Sequence, residues 1–69
     1  MKISARNILK GKVTKLVEGA VNCELTLEIA PGVEIVSIIS KTSVHSLGLA
    51  EGKTASAVIK ASNVMIAVD

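Results

Sequence analysis

The chain has 69 residues, the size of one small domain spanning residues 1–69. A chain of this length buries roughly 60% of its surface on folding, yet 49% of its residues are hydrophobic and 20% are charged. One small core cannot bury that much apolar surface, so we expect the excess to lie between subunits of an oligomer.

Several function classes are disfavoured by composition. Phe, Tyr and Trp are absent and the net charge is +2, which argues against base stacking and against a phosphate-dominated nucleic-acid surface. One cysteine, Cys23, and one histidine, His45, exclude an internal disulfide and a Cys- or His-based metal cluster. No apolar run approaches ~18 residues and the start, Met1–Ser4, lacks a signal-peptide apolar region. We therefore expect a soluble cytoplasmic protein with no membrane partner.

The first half of the chain predicts two strands. Residues 8–17 form a strand with a bend or bulge at Gly11, and residues 18–20 connect it to the next strand. Residues 21–29 alternate apolar and polar side chains without a miss, which is typical of a strand with one buried face. Cys23 belongs to the apolar set, so we interpret it as a small core residue.

A turn, a strand and a helix follow. Pro31-Gly32 predicts a type II turn, because proline presets φ and glycine accepts the positive φ required next. Residues 34–39 are nearly all apolar and predict a strand covered on both faces. Residues 40–49 predict a helix of about two turns, with Ser40 as its N-cap and Gly48 just past its end.

The remainder of the chain predicts further strands. Residues 51–53 form a turn, and residues 54–60 and 64–68 are strand-like. The fold class predicted is all-β: a small, five-stranded, partly closed OB-type β-barrel, with one short helix between the fourth and fifth strands.

Catalysis has little support in the sequence. Glu24 and Glu28 share the polar face of one predicted strand, and a solvated face accounts for them. His45 has no acidic residue near it in sequence, and an exposed or interface position accounts for it. We therefore expect no enzyme activity, no catalytic residues, no cofactor and no site for a free metal cation.

Small hydroxyls and cations gather in three places: Ser4–Asn7, Ser40–Ser43 and Lys60–Asn63. Hydroxyls, arginine and lysine donate hydrogen bonds, and a tetrahedral dianion has four oxygens that accept them. Each group also has an ordinary interpretation as a cap, a strand edge or a turn. The residue pattern alone reaches a small-oxyanion site and no further.

The chain resembles the molbindin (Mop) family, the molybdate-binding TOBE domains. The resemblance runs in order through nearly the whole chain, at the segments 4–13, 40–49, 51–53 and 58–66. The Ser-Ala-Arg-Asn opening paired with the late Ile-Lys-Ala-Ser is its most specific part. It implies a β-barrel of OB type that assembles into a homo-hexamer, a trimer of dimers, and binds molybdate, and usually tungstate, in pockets shared between subunits.

The resemblance also implies binding residues, at the positions of this chain that match the motifs of the family. The resemblance implies an oxyanion pocket formed by Ser4, Ala5, Arg6, Ser40, Ser43, Lys60, Ala61 and Ser62. Ser4 and Arg6, with the Ala5 backbone, would come from one subunit. Lys60–Ser62 would complete the pocket, largely through their backbone N–H groups, and Ser40 and Ser43 would supply hydroxyls. Ser40 stands where relatives often have threonine, which keeps the hydroxyl. A second pocket on the threefold axis is assigned to the loop residues Gly19, Ala20, Val21 and Asn22.

Three functions remain open on this basis. The first is molybdate or tungstate binding for storage or homeostasis. The second is a structural or regulatory assembly domain without an oxyanion cargo. The third is a nucleic-acid-binding OB module, which the missing aromatic residues and the weak charge disfavour.

Overall fold

The computed structural model describes all 69 residues and forms one curled, four-stranded antiparallel sheet. The elements are β1 (Asn7–Glu18), β2 (Asn22–Ala30), β3 (Val33–Ser40), α1 (Lys41–Ser46), β4 (Thr54–Ile59) and a single 3-10 turn, η1 (Ala61–Asn63). The strand order is β3-β2-β1-β4, so β3 and β4 are the edge strands. No helix has the length and hydropathy of a membrane crossing.

The all-β class with one short helix is confirmed, but the predicted order of elements is wrong in two places. The helix lies between the third and fourth strands, not between the fourth and fifth. Residues 64–68 form no strand within the chain. Their side chains are largely exposed, Met65 at 93% and Ile66 at 86%, since no neighbouring strand in this chain covers them.

The core lies on the inner face of the curled sheet. Val13, Leu25 and Leu27 are almost fully buried together, and Cys23 on the same face of β2 is 1% exposed. The period-2 pattern places Cys23, Leu25 and Leu27 inward as predicted, while Glu24 and Glu28 are exposed. The strand begins one residue later than predicted, so Val21 precedes it and is exposed.

β1 serves both halves of the sheet because it changes its pairing along its length. Its first half pairs with β4, from Asn7↔Ile59 to Lys12↔Thr54, and its second half pairs mainly with β2. The change falls at Lys12, which pairs with both neighbouring strands, and a register shift between Val13 and Lys15 follows within the β1–β2 ladder. The predicted bulge at Gly11 is wrong, because Gly11 pairs in regular register with Ala55. Glycine is needed there for a different reason: a Cβ would lie 2.5 Å from the Glu28 carbonyl oxygen.

The turn and the helix follow the sequence closely. Gly32 has φ +77° between the paired residues Ala30 and Val33, as a type II turn requires. The Ser40 side chain caps α1 by accepting a hydrogen bond from the Ser43 N–H at 3.1 Å. The helix ends in a Schellman motif at Gly48, φ +63°, after fewer residues than predicted.

The single chain is open. Its accessible surface is 5359 Å², about a third more than the roughly 4,000 Å² of a compact monomer of this size. An apolar cleft of about 380 Å³ lies between the edge strands, lined by Ile35 and Ile39 on β3 and by Ala57 and Ile59 on β4, among others. The outer face of β3 is also exposed, with Ile38 at 68%, so the prediction that both faces of this strand are covered is wrong for one chain.

Candidate oxyanion site

A second cleft forms where β1 and β4 separate. Asn7↔Ile59 is the last pair of their ladder, and beyond it the two chain segments diverge. We call residues 4–6 the N-terminal arm and residues 60–62 the turn arm. Together the arms enclose a volume of about 340 Å³, lined by Ser4, Ala5, Arg6, Lys60, Ala61 and Ser62. Two groups of predicted site residues, distant in sequence, thus meet within one chain.

The turn arm owes its shape to η1. The Asn63 N–H donates to the Lys60 carbonyl at 2.8 Å, and the Val64 N–H donates to the Ala61 carbonyl at 3.3 Å. A 3-10 turn leaves its first N–H groups without internal acceptors, and those of Ala61 and Ser62 bond to nothing in the chain. The turn arm therefore presents two free backbone donors beside its side chains.

The cleft carries two uncompensated positive charges. Arg6 and Lys60 both line it, and neither has a carboxylate within 4 Å; the chain's one contact between a basic and an acidic side chain joins His45 and Glu18 at 3.9 Å. The Ser4 and Ser62 hydroxyls have no hydrogen-bond partners either. The lining thus combines cations, hydroxyls and free N–H groups, all of which donate hydrogen bonds to an anion.

Ser40 and Ser43 do not join this cleft. Ser40 pairs with Asn22 next to the far end of β1, while the cleft lies at its near end. The Ser40 hydroxyl donates to Ser43 Oγ at 2.8 Å and accepts from the Ser43 N–H. Its one hydrogen is therefore used within the helix cap and is not available to a ligand. Of the two hydroxyl groups, only that of Ser43 has a hydrogen left to donate to a ligand.

The loop predicted as a second site adjoins these serines. It is the β1–β2 connection, closed by the Gly19 N–H donating to the Asn22 carbonyl at 2.8 Å. The Lys41 N–H donates to the Val21 carbonyl at 2.8 Å, which fixes the loop against the start of α1. The sequence-predicted site residues therefore fall into two regions at opposite ends of β1.

One residue beside the cleft has a contact that sequence patterns did not indicate. The Asn7 side-chain amide donates to the Ile59 carbonyl at 3.2 Å, across the last pair of the ladder. The sequence offered one signal, its place directly after Arg6 in the Ser4–Asn7 group. Its partner is apparent only when β1 and β4 are seen side by side.

Fold and cleft together define a small curled β-sheet domain with a positively charged, donor-lined cleft at the end of its sheet. The model of the TOBE domain family matches residues 3–66, and the chain belongs to that family.

Relatives extend over the whole chain. Molybdenum-pterin-binding protein 1 of Clostridium pasteurianum is 56% identical over 66 residues, covering 96% of this chain and 97% of the relative. The structure of a molybdate-binding protein from Sporomusa ovata superposes with a TM-score of 0.91 at 34% identity, covering 99% of this chain and all of that one. The cytoplasmic molybdate-binding protein ModG, with molybdate bound, gives a TM-score of 0.90 at 54% identity, covering 94% of this chain and 46% of ModG. The resemblance to the molybdate-binding Mop proteins is thereby confirmed.

Proposed function

We propose that this protein binds molybdate in the cleft between the N-terminal arm and the turn arm. Tungstate has the same charge and nearly the same shape, so it would bind in the same cleft. The observation that carries the proposal is the pair of cations, Arg6 and Lys60, which face one cleft with no carboxylate partner. Two positive charges match the charge of a tetrahedral dianion. Relatives across the length of the chain are named for molybdenum or molybdate, which supports this choice among oxyanions.

The hydrogen-bonding capacity of the cleft fits the same ligand. Four oxygens can accept from the Ser4 and Ser62 hydroxyls, from the Arg6 and Lys60 side chains, and from the free N–H groups of Ala61 and Ser62. Every one of these groups donates. Fully deprotonated dianions carry no hydrogen that would oppose such donors, which favours molybdate and tungstate over protonated anions.

We further propose that the working form is a homo-hexamer with pockets closed between subunits. Arg6, Lys60 and Ser62 are exposed in the single chain, so a neighbouring subunit is needed to remove the cleft from water. Burying a charged ligand strengthens its hydrogen bonds, because the local dielectric constant falls. Binding to the folded assembly would in turn stabilise it by mass action.

The exposed apolar surface supports assembly. The C-terminal residues Val64–Val68 are mostly apolar and unpaired, and the apolar cleft between β3 and β4 offers a matching surface with two free strand edges. A C-terminal segment from another copy would add the fifth strand that the sequence predicts and the single chain lacks. The exposed outer face of β3 is a second surface for subunit contact.

The region at the far end of β1 is proposed as a second oxyanion site formed on assembly. Ser40, Ser43 and the loop Gly19–Asn22 adjoin one another there, and the Ser43 hydroxyl hydrogen is free. The role proposed for the whole protein is molybdate storage or homeostasis in the cytoplasm, as a binding protein and not an enzyme. A relative described as a cytoplasmic molybdate-binding protein supports that location.

Native mass spectrometry with molybdate tests function and assembly together. We expect a single species near six chains that gains molybdate in defined steps, with sulfate as the competing anion. A hexamer that takes up no molybdate or tungstate would refute the binding function and favour a structural or regulatory assembly domain. Full binding by a monomer would instead refute pockets closed between subunits.

A further inference from the structure

A single side-chain hydrogen bond joins the two sides of the oxyanion cleft. The half-buried Asn7 side-chain amide reaches across the last β1–β4 pair and donates to the carbonyl oxygen of Ile59 at 3.2 Å. Asn7 directly follows the N-terminal arm, and Ile59 directly precedes the turn arm. The bond therefore lies at the point where the two arms diverge.

The two arms differ in how they are held. The turn arm is shaped by the hydrogen bonds of η1. Residues 1–6 make no hydrogen bond, through the backbone or through side chains, to any part of the chain. The position of Ser4 and Arg6 opposite Lys60 thus depends on the junction at Asn7.

From this we propose that Asn7 is a positioning residue for the oxyanion cleft. By fixing the junction, the amide limits the directions in which the N-terminal arm can leave the sheet, so Ser4 and Arg6 are held opposite the turn arm before the ligand arrives. Preorganised donors lose less conformational entropy on binding than a free segment does. The inference rests on the proposed molybdate site, and Asn7 itself need not touch the ligand.

Two substitutions remove the bond in different ways. Asn7→Ala deletes the amide, and Asn7→Leu replaces it with an apolar group of similar shape that keeps the packing and the charge. Thr14→Val is the matched control, because Thr14 also lies on β1 and its hydroxyl donates to a carbonyl of the neighbouring strand, that of Thr26 at 3.5 Å, away from the cleft. Molybdate affinity is measured by isothermal titration on assembled protein, and the apo melting temperature is measured alongside it.

We expect both Asn7 variants to bind molybdate about 2- to 12-fold more weakly, the range corresponding to the net free energy of one hydrogen bond. Thr14→Val should bind like the parent chain. The salt dependence of binding should stay unchanged in the Asn7 variants, because all charges remain, whereas Arg6→Ala should reduce it. In an Arg6→Ala background the Asn7→Ala effect should shrink, since the side chain being positioned is gone.

Each other outcome has a defined meaning. Lowered apo melting temperature with unchanged molybdate affinity would make Asn7 a merely structural residue and overturn the inference. Parent-like affinity in Asn7→Leu would overturn it even if Asn7→Ala fails to assemble. Failure of the parent chain to bind molybdate would refute the proposed function itself, a result separate from either.

Discussion

Arg6→Ala compared with Lys10→Ala separates a built anion site from a diffuse positive surface. Both changes remove one positive charge from the same end of the chain. Arg6 lines the cleft and has no acidic partner, so its guanidinium is free to donate to a bound oxyanion. Lys10 is exposed on β1, opposite Ser56, and does not line the cleft.

The expected losses of molybdate affinity in the two variants differ by more than tenfold over most of the expected range. A charge-assisted hydrogen bond contributes about 1.5–3 kcal/mol, which predicts a 10- to 150-fold loss of molybdate affinity in Arg6→Ala. Lys10 lies roughly 10 Å along the strand from Asn7, where the cleft begins. At that separation the attraction between a lysine and a dianion in water, screened at physiological salt, is about 0.2 kcal/mol, less than a twofold effect.

Isothermal titration with molybdate, after each variant's oligomeric state has been confirmed by sedimentation, makes the comparison. We expect both variants to assemble, because neither side chain is part of the apolar surfaces. The small Lys10→Ala effect should disappear with added salt, while most of the Arg6→Ala loss should persist. Equal losses in the two variants would mean that a diffuse positive patch attracts the anion, and the assignment of the cleft would be wrong.

Three further outcomes are expected. In a competition titration at pH 7, phosphate should compete much more weakly than molybdate. Phosphate retains a proton at this pH, and a buried donor that faces another donor costs about 1–3 kcal/mol. Equal competition by the two anions would contradict a cleft lined by donors. Ser40→Ala should lower the free energy of unfolding by about 1 kcal/mol in urea, because it deletes the α1 cap, whereas Ser46→Ala, which removes a weaker 3.4 Å bond, should have little effect. Gly11→Ala should lower the free energy of unfolding by about 1–3 kcal/mol, because the alanine Cβ would lie 2.5 Å from the Glu28 carbonyl oxygen. Unchanged stability would show that β1 and β2 can move apart at this position.

Local patterns in the sequence predicted the local structure well. The alternation in β2, the Pro31-Gly32 turn and the Ser40 cap all formed as predicted, because each depends on residues within a few positions of one another. The predicted fifth strand, 64–68, does not form in the chain, where no neighbouring segment pairs with these residues. The prediction that both faces of β3 are covered was wrong as well, because an apolar run does not identify a segment that covers its outer face, and Ile38 there is 68% exposed.

The candidate site was likewise predictable only in part. Sequence patterns predicted the donor groups and the family: the Ser4–Asn7 opening, the Lys60–Asn63 group, and the serines at the start of α1, Ser40 and Ser43. The grouping of these residues is visible only in the folded chain: the first two groups share one cleft, while Ser40 and Ser43 lie at the other end of β1. The physical reason is the antiparallel pairing of β1 with β4, a contact between segments far apart in the chain that brings Asn7 to Ile59 and that no local pattern encodes.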